Sequence, residues 1–398
     1  MSTPTAATVL YALTVSSAPA RPGPEDVLEK THHTKSGFRN PWDSRRLKGE
    51  ANSPDMTPPA SRKPEFLPTR ETQKLRATWL GHACYYVEFP GGLRVLFDPV
   101  FDARCGPYSF GPKRFTEPPC KIEDIPVIDA VVISHNHYDH LSHPTVSKIA
   151  KQHPNCHFFA PLGNKSWFHD SNIYNVTELD WWDERDIALS PAEGKGAEVE
   201  LIGNASTGAD IKARISCMPC QHITARGPFD KCKTLWASWA IESGGSKLYF
   251  AGLVKYPNRA GRITWPLANP YSRDSGYRSV DEVPKGEDDW DPKYNFPICP
   301  AFKQVGEFRG PFDLGLIPIG AYAPRHIFSP AHADPHDAVR MFQDTKCKNA
   351  LAMHWGTWVL TEEDVLEPPR KLKEALKRHS IPESGVFDAC EIGESREY

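Results

Sequence analysis

Six consecutive residues, His135-Asn-His-Tyr-Asp-His140, constrain this chain more than any other stretch. They follow Asp129-Ala-Val-Val-Ile-Ser134, a short apolar run typical of a strand buried on both faces. Histidines at i and i+2 on an extended segment point the same way, so His135 and His137 can reach one ion. Asp139 and His140 come next on the turn and can reach a second ion a few ångströms away. Imidazoles and a carboxylate with no thiolate suit Zn2+ or a similar first-row ion. A lone histidine is more often structural than ligating. Four such groups at the end of a buried strand point instead to a metal site. Tyr138, between the ligands, is placed either to touch a substrate or to pack.

The rest of the 398 residues limits what such a site serves. At 39% hydrophobic the chain has ample material for a large core, which rules out disorder along its whole length. Lys+Arg 47 against Asp+Glu 50 gives a net charge of -3, so the basic footprint of a nucleic-acid binder is absent. No stretch approaches the ~18 apolar residues of a membrane span. Met1 to Ala20 lacks both the basic start of a secretory signal and the arginines of a mitochondrial presequence, and reads as a flexible tail. The ten cysteines are scattered and read as reduced thiols. Cys217-Met-Pro-Cys220 has no second pair to complete a zinc knuckle, and its flanks read as a strand running into a loop. The expected location is cytoplasmic or peripheral on an intracellular membrane, not secreted.

Residues 1–72 are rich in Pro, Ser, Thr and charge and read as an extended, loop-rich arm. Residues 73–398 read as one catalytic unit. Strands are expected over Arg76–Phe89 with a break at Gly81-His82, then at Arg94–Asp98, Asp129–Ser134 and Cys156–Leu162. Further strands are expected at Arg214–Cys220, Leu235–Glu242 and Lys247–Gly252, and later at Asp313–Ile319, Asn349–Met353 and Gly385–Glu391. Helices are expected at Pro144–Gln152, Phe302–Arg309, Asp334–Asp344 and Pro368–His379. The simplest architecture is two mixed sheets packed face to face with helices outside. Trp181-Trp182 is expected in the core, His82 in packing or in hydrogen bonds behind the ligands, and His32, His33 and His153 in no role.

The signature His-x-His-x-Asp-His after a strand is similar to that of the metallo-β-lactamase fold. Thr78-Trp-Leu-Gly-His-Ala83, Ile317-Pro-Ile-Gly-Ala-Tyr322, Met353-His-Trp-Gly-Thr357, Glu367-Pro-Pro and Leu372-x-Glu-Ala narrow the likeness. With them the chain resembles the N-acylphosphatidylethanolamine-hydrolysing phospholipase D family from about Gly37 onward. The resemblance implies an α/β four-layer αβ/βα metallo-β-lactamase sandwich holding two Zn2+. It matches His222 to the third histidine of the first metal, beside His135 and His137. It matches His354 to the last histidine of the second metal, beside Asp139 and His140. His332 matches a histidine near the substrate phosphate.

The bridging ligand implied by the resemblance is an aspartate in Phe-Ala-Gly-Asp-Thr-Gly-Tyr. Here Phe250-Ala-Gly252 is separated from Asp274-Ser-Gly-Tyr277 by Leu253 to Arg273. Asp274 is therefore expected to be the bridging ligand and, with Asp139, a catalytic carboxylate. The segment 253–273 is expected to be an insertion, read as a retained intron, with a genuine surface insertion as the alternative. The implied reaction is zinc-dependent hydrolysis of N-acylphosphatidylethanolamine to N-acylethanolamine and phosphatidic acid. The implied partners are a phospholipid substrate and a membrane surface, with no nucleic acid and with a homodimer left open. A lactonase, a soluble phosphodiesterase or a variant inactivated by the 253–273 segment are the competing readings.

Overall fold

The computed structural model describes residues 11–19, 21, 23, 30, 32–38, 55–107, 110–191, 210–227, 229–252, 277–284, 286–329 and 331–398. Along the chain come β1 (Tyr11–Ser17), β2 (His33–Thr34), β3 (Gly37–Phe38), β4 (Arg76–Gly81), β5 (Cys84–Glu88), β6 (Arg94–Phe97) and β7 (Ala130–Val132). Then follow α1 (His143–Gln152), β8 (His157–Pro161), α2 (Lys165–Asp170), β9 (Val176–Leu179), β10 (Glu184–Pro191), β11 (Ile211–Met218), β12 (Ser238–Ser243) and β13 (Ser246–Phe250). The last part holds α3 (Ala301–Phe308), β14 (Phe312–Pro318), α4 (Arg325–Phe328), α5 (Pro335–Asp344), β15 (Cys347–Met353), α6 (Glu367–Arg378), β16 (Phe387–Asp388) and β17 (Ser395–Glu397).

Among the described residues, seven strands form one sheet in the order β17-β4-β5-β6-β7-β8-β9. Eight form the other, in the order β1-β10-β11-β12-β13-β14-β15-β16. Each sheet begins antiparallel and turns parallel, from β6 to β9 in the first and from β13 to β16 in the second. The parallel strands need crossovers; a long loop supplies that from β6 to β7, and connections containing helices supply the later ones.

Alternation sorts the side chains into layers. Ala77, Trp79, Tyr85, Val87, Val95 and Phe97 of the first sheet join Ile215, Trp239, Ile241, Leu248 and Phe250 of the second in the central core. Leu80, Tyr86, Leu96, Val131 and Phe158 point the other way and meet Val146, Ile149 and Phe168 of α1 and α2. Val305, Met341, Phe342, Leu372 and Leu376 of α3, α5 and α6 cover the second sheet. Helix, sheet, sheet, helix is the four-layer αβ/βα order expected of the metallo-β-lactamase sandwich. Trp181 and Trp182 are both buried in the central core. Cys217 and Cys220 are buried free thiols, and burial pushes both well above the ordinary thiol range.

The helices start where their sequences say. Ser142 caps α1 by accepting from the Thr145 N–H, with Pro144 in the first turn. Asp334 caps α5 in a reciprocal box with Asp337.

The N-terminal arm needs correction at two places. Tyr11–Ser17 is not a tail: it pairs antiparallel with β10 along its whole length, and Leu13 and Val15 pack on the core. The alternation of Leu13, Thr14, Val15 and Ser16 suits an edge strand, apolar inward and hydroxyl outward. Residues 55–75 then run over the body rather than away from it. Arg62 N–H donates to Ile392 O at 2.7 Å, and the Arg70 guanidinium holds both oxygens of Asp129 at 2.7 Å. Elsewhere β16 is shorter than expected, and α2, β9, β10 and β17 are additional to the expected elements.

Candidate metal centre

The site lies at the carboxyl ends of the strands, where open sheets leave a crevice. Asp98 follows β6, Ser134 to His140 follow β7, His222 follows β11 and His354 follows β15. Gly81, at φ +100°, breaks the ladder between β4 and β5 and turns His82 into the same crevice. His82, Asp98, Ala321 and His354 adopt left-handed φ of 50°, 37°, 66° and 64°. Such strain in side-chain-bearing residues gathers where the surroundings over-determine a functional geometry.

Among the described residues of this crevice, two groups of buried ligand candidates adjoin. His135, His137 and His222 face one another with ligand atoms within 4.8 Å, and His222 Nε2 lies 3.3 Å from His137 Nδ1. His82, Asp139, His140 and His354 form the second group. In it His140 Nε2 is 3.2 Å from His354 Nε2, and Asp139 Oδ2 is 3.1, 3.5 and 3.9 Å from His82, His140 and His354. Four ligands around a tetrahedral zinc, each at ~2.0–2.1 Å, sit roughly 3.3 Å from one another, which these separations approach. The groups adjoin, since the His135 and His140 ring centroids are 4.1 Å apart.

The electrostatics suit a cation. Burial, then repulsion from neighbouring imidazoles, pushes His135, His222 and His354 well below the ordinary histidine range, so they stand neutral with lone pairs to donate. The buried Nε2 of His135 has no hydrogen-bond partner. Burial also works against charge on His140, but Asp139 and Asp98 outweigh it and push its pKa up to about 9. The carboxylates therefore call for positive charge at this spot. The residues fit a divalent metal site.

Three groups behind the ligands hold them in place. Asp98 accepts from His140 Nδ1 at 2.6 Å, from the Ser134 N–H at 2.7 Å and from the Ser134 hydroxyl at 2.5 Å. Ser134 Oγ is also 2.8 Å from His135 Nδ1. Arg226, four residues after His222, donates one Nη1 to both Asn136 O and Leu141 O at 2.7 Å. Its guanidinium lies 3.9 Å over the Tyr138 ring, so Tyr138 packs beside the ligand loop. His332 is fully buried, with its ring 5.5 Å from that of His354. Asp274 and the 253–273 segment lie outside the described residues.

Sequence reasoning named the ligand loop, His222 and His354, and the structure brings them together. Asp98 and Arg226 were missed; His82, expected in packing or in hydrogen bonds behind the ligands, makes such a bond, with Nε2 3.1 Å from Asp139 Oδ2, and its ring lies close to the second group.

Comparison with known proteins decides the family. A model of the beta-lactamase superfamily domain matches residues 93–264. Over 327 residues the chain is 34% identical to the N-acyl-phosphatidylethanolamine-hydrolyzing phospholipase D 1 of Caenorhabditis elegans, covering 80% of this chain and 75% of that one. The chain belongs to the N-acylphosphatidylethanolamine-hydrolysing phospholipase D family. A second phospholipase D of this kind, named mitochondrial, in Saccharomyces cerevisiae is 28% identical over 298 residues, 74% of this chain and 50% of the yeast protein. A metal-dependent hydrolase of Aeropyrum pernix is 36% identical over 310 residues, 77% of this chain and 91% of that one. As a member of the phospholipase D family with this fold and donor set, the protein is a metallo-hydrolase. No helix among the described residues is long and apolar enough to cross a membrane.

Proposed function

We propose that this protein is a two-zinc phosphodiesterase that hydrolyses N-acylphosphatidylethanolamine to N-acylethanolamine and phosphatidic acid. The observation that carries it is the pair of adjoining buried ligand groups in a chain of this family. His135, His137 and His222 would hold one ion. Asp139, His140 and His354 would hold the other, with Asp274 shared. Two bound zinc ions supply a water acidified towards neutrality and a clamp on both oxygens of an in-line displacement.

The chain's own groups do the rest. Asp98 fixes His140 and, through Ser134, His135, so that each imidazole keeps one tautomer. His82 Nε2, 3.1 Å from Asp139 Oδ2, orients that carboxylate. His332 contacts the substrate phosphate, and Tyr138 lines the approach. Water adds at phosphorus, the bond from phosphorus to the ethanolamine oxygen breaks, and that oxygen leaves with a proton.

The placement of Gly252 supports Asp274 as a ligand. A Cβ on Gly252 would come 3.0 Å from the Ser134 side chain, so Gly252 itself lies beside the ligand loop. Excision of 253–273 would join Asp274 to it. Contact with a membrane surface is supported by Phe110 and Phe229, 73% and 84% exposed. Phe229 adjoins Asp230, which holds the N–H of Arg226 beside the ligand loop.

The test is metal analysis with hydrolysis of lipids of defined head group by the zinc-loaded protein. Two zinc ions per chain and preferential cleavage of N-acylphosphatidylethanolamine are expected. Cleavage of a lactone or a soluble phosphodiester with the lipid untouched would overturn the proposal.

A further inference from the structure

Glu363 sits between β15 and α6 and belongs to neither ligand group, and its carboxylate is committed to the loop that follows β14. Oε1 accepts the N–H of Ala321 at 2.5 Å and of Tyr322 at 3.2 Å, and Oε2 accepts the N–H of Ala323 at 2.9 Å. Three backbone donors on one half-buried carboxylate hold a tight turn that includes Ala321 at φ +66°. Glu362 closes it from the other side, its N–H donating to Ala323 O at 3.2 Å. The Tyr322 hydroxyl is tied separately to Glu367 at 2.7 Å.

The carbonyl of Ala321 faces Nδ1 of His332 in a close hydrogen bond. A carbonyl only accepts, so Nδ1 must carry the proton, and in the neutral ring Nε2 is then the acceptor. His332 is fully buried, stacked on Phe328 at 5.8 Å and edge-on to His354 at 5.5 Å. The direction of the Ala321 carbonyl therefore sets which nitrogen of His332 can take a proton or accept a hydrogen bond.

We propose that Glu363 is a positioning residue for His332: by holding the N–H groups of Ala321, Tyr322 and Ala323 it fixes the Ala321 carbonyl, which keeps His332 in the Nδ1-protonated tautomer. The assignment rests on the proposed contact between His332 and the substrate phosphate, where an accepting Nε2 would take a hydrogen bond or a proton from the reacting group. A carboxylate is needed because it offers acceptors in both directions. A glutamine offers one acceptor oxygen and turns N–H donors towards the remaining loop N–H.

The experiment is long-range 1H–15N spectroscopy of histidine-labelled, zinc-loaded full-length protein, with His332 assigned by His332→Gln. The wild type is expected to show His332 protonated at Nδ1, and Glu363→Gln to show mixed tautomers with zinc content unchanged. The kcat for N-acylphosphatidylethanolamine is expected to fall by about 10-fold in Glu363→Gln with KM little changed. Glu363→Gln/His332→Gln is expected to be no slower than His332→Gln alone. An Nε2-protonated His332 in the wild type, an unchanged tautomer in Glu363→Gln, or additive losses would each overturn the assignment. Should Glu363→Gln not fold, Glu363→Asp, which keeps the charge and shortens the reach, carries the same comparison. The expected tautomers with no lipid turnover would uphold the Glu363 assignment and overturn the lipid reading instead.

Discussion

The carboxylate of Asp98 ties the two ligand groups together through one neighbour each: Oδ2 lies 2.6 Å from His140 Nδ1, and the Ser134 hydroxyl it receives is 2.8 Å from His135 Nδ1. Fully buried, Asp98 has its pKa raised by burial, against the pull of His140 and Ser134. Asp98→Asn keeps one acceptor but faces His140 or Ser134 with an N–H. Affinity for zinc is expected to fall 10- to 100-fold, by about as much as loss of such outer partners costs elsewhere. Competition with a chromophoric chelator measures it, and an unchanged affinity would show that Asp98 only packs.

Arg226 acts on the backbone of the ligand loop. Its Nη1 bonds to Asn136 O and Leu141 O span the segment that carries His137, Asp139 and His140. Lysine cannot reproduce a planar fork stacked on Tyr138, so Arg226→Lys is expected to cost roughly 1–3 kcal/mol in folding stability. It should also lower zinc affinity, by loosening three ligands at once. Denaturant unfolding of the metal-free and zinc-loaded protein checks both, and the penalty should be larger in the zinc-loaded form.

His157 gives a dependence on pH away from the metals. It lies in β8 with Nε2 2.8 Å from the Thr177 hydroxyl, and burial pushes its pKa down to about 4. In the unfolded chain the ring titrates near ~6.5. Above that pH both states are neutral and His157 contributes no penalty. Between about 6.5 and about 4 the unfolded chain takes up a proton that the folded ring refuses, so stability falls with falling pH. The loss should reach roughly 3 kcal/mol by pH 4. Urea midpoints at pH 7 and pH 5 should drop further in the wild type than in His157→Asn. Equal drops would place the acid sensitivity elsewhere.

The segment 253–273 admits a direct comparison. Deleting it joins Asp274 to Gly252 and is expected to leave zinc at two per chain and to raise hydrolysis by about 100-fold, the cost of a ~1 Å misplacement of Asp274. Sequencing the transcripts is the companion measurement. If every message carries these codons and the deletion loses activity, the segment is a true part of the enzyme.

What the sequence disclosed depended on how local the signal was. His135 to His140 announced themselves because four ligand groups share one turn after one buried strand. The helices at Ser142 and Asp334 were legible because their caps lie within three residues. Asp98 was not, because a single aspartate ending a strand looks like turn chemistry until β6 pairs in parallel with β7. Glu184 begins β10 yet is buried, held by Arg21 and Arg309, at 2.6 and 3.0 Å, from distant parts of the chain. Ion pairing at that separation leaves no local pattern, and β10 was passed over with it. Tyr11–Ser17 has the alternation of a strand, but its pairing partner lies some 170 residues away and the Pro-rich surroundings read as tail.

Hydrolysis in 18O-labelled water tests the central claim most directly. With zinc-loaded protein and N-acylphosphatidylethanolamine, attack of water at phosphorus puts the label in the phosphate of phosphatidic acid and leaves the N-acylethanolamine oxygen unlabelled. Label in the N-acylethanolamine, or no cleavage by a protein carrying two zinc ions, would contradict it.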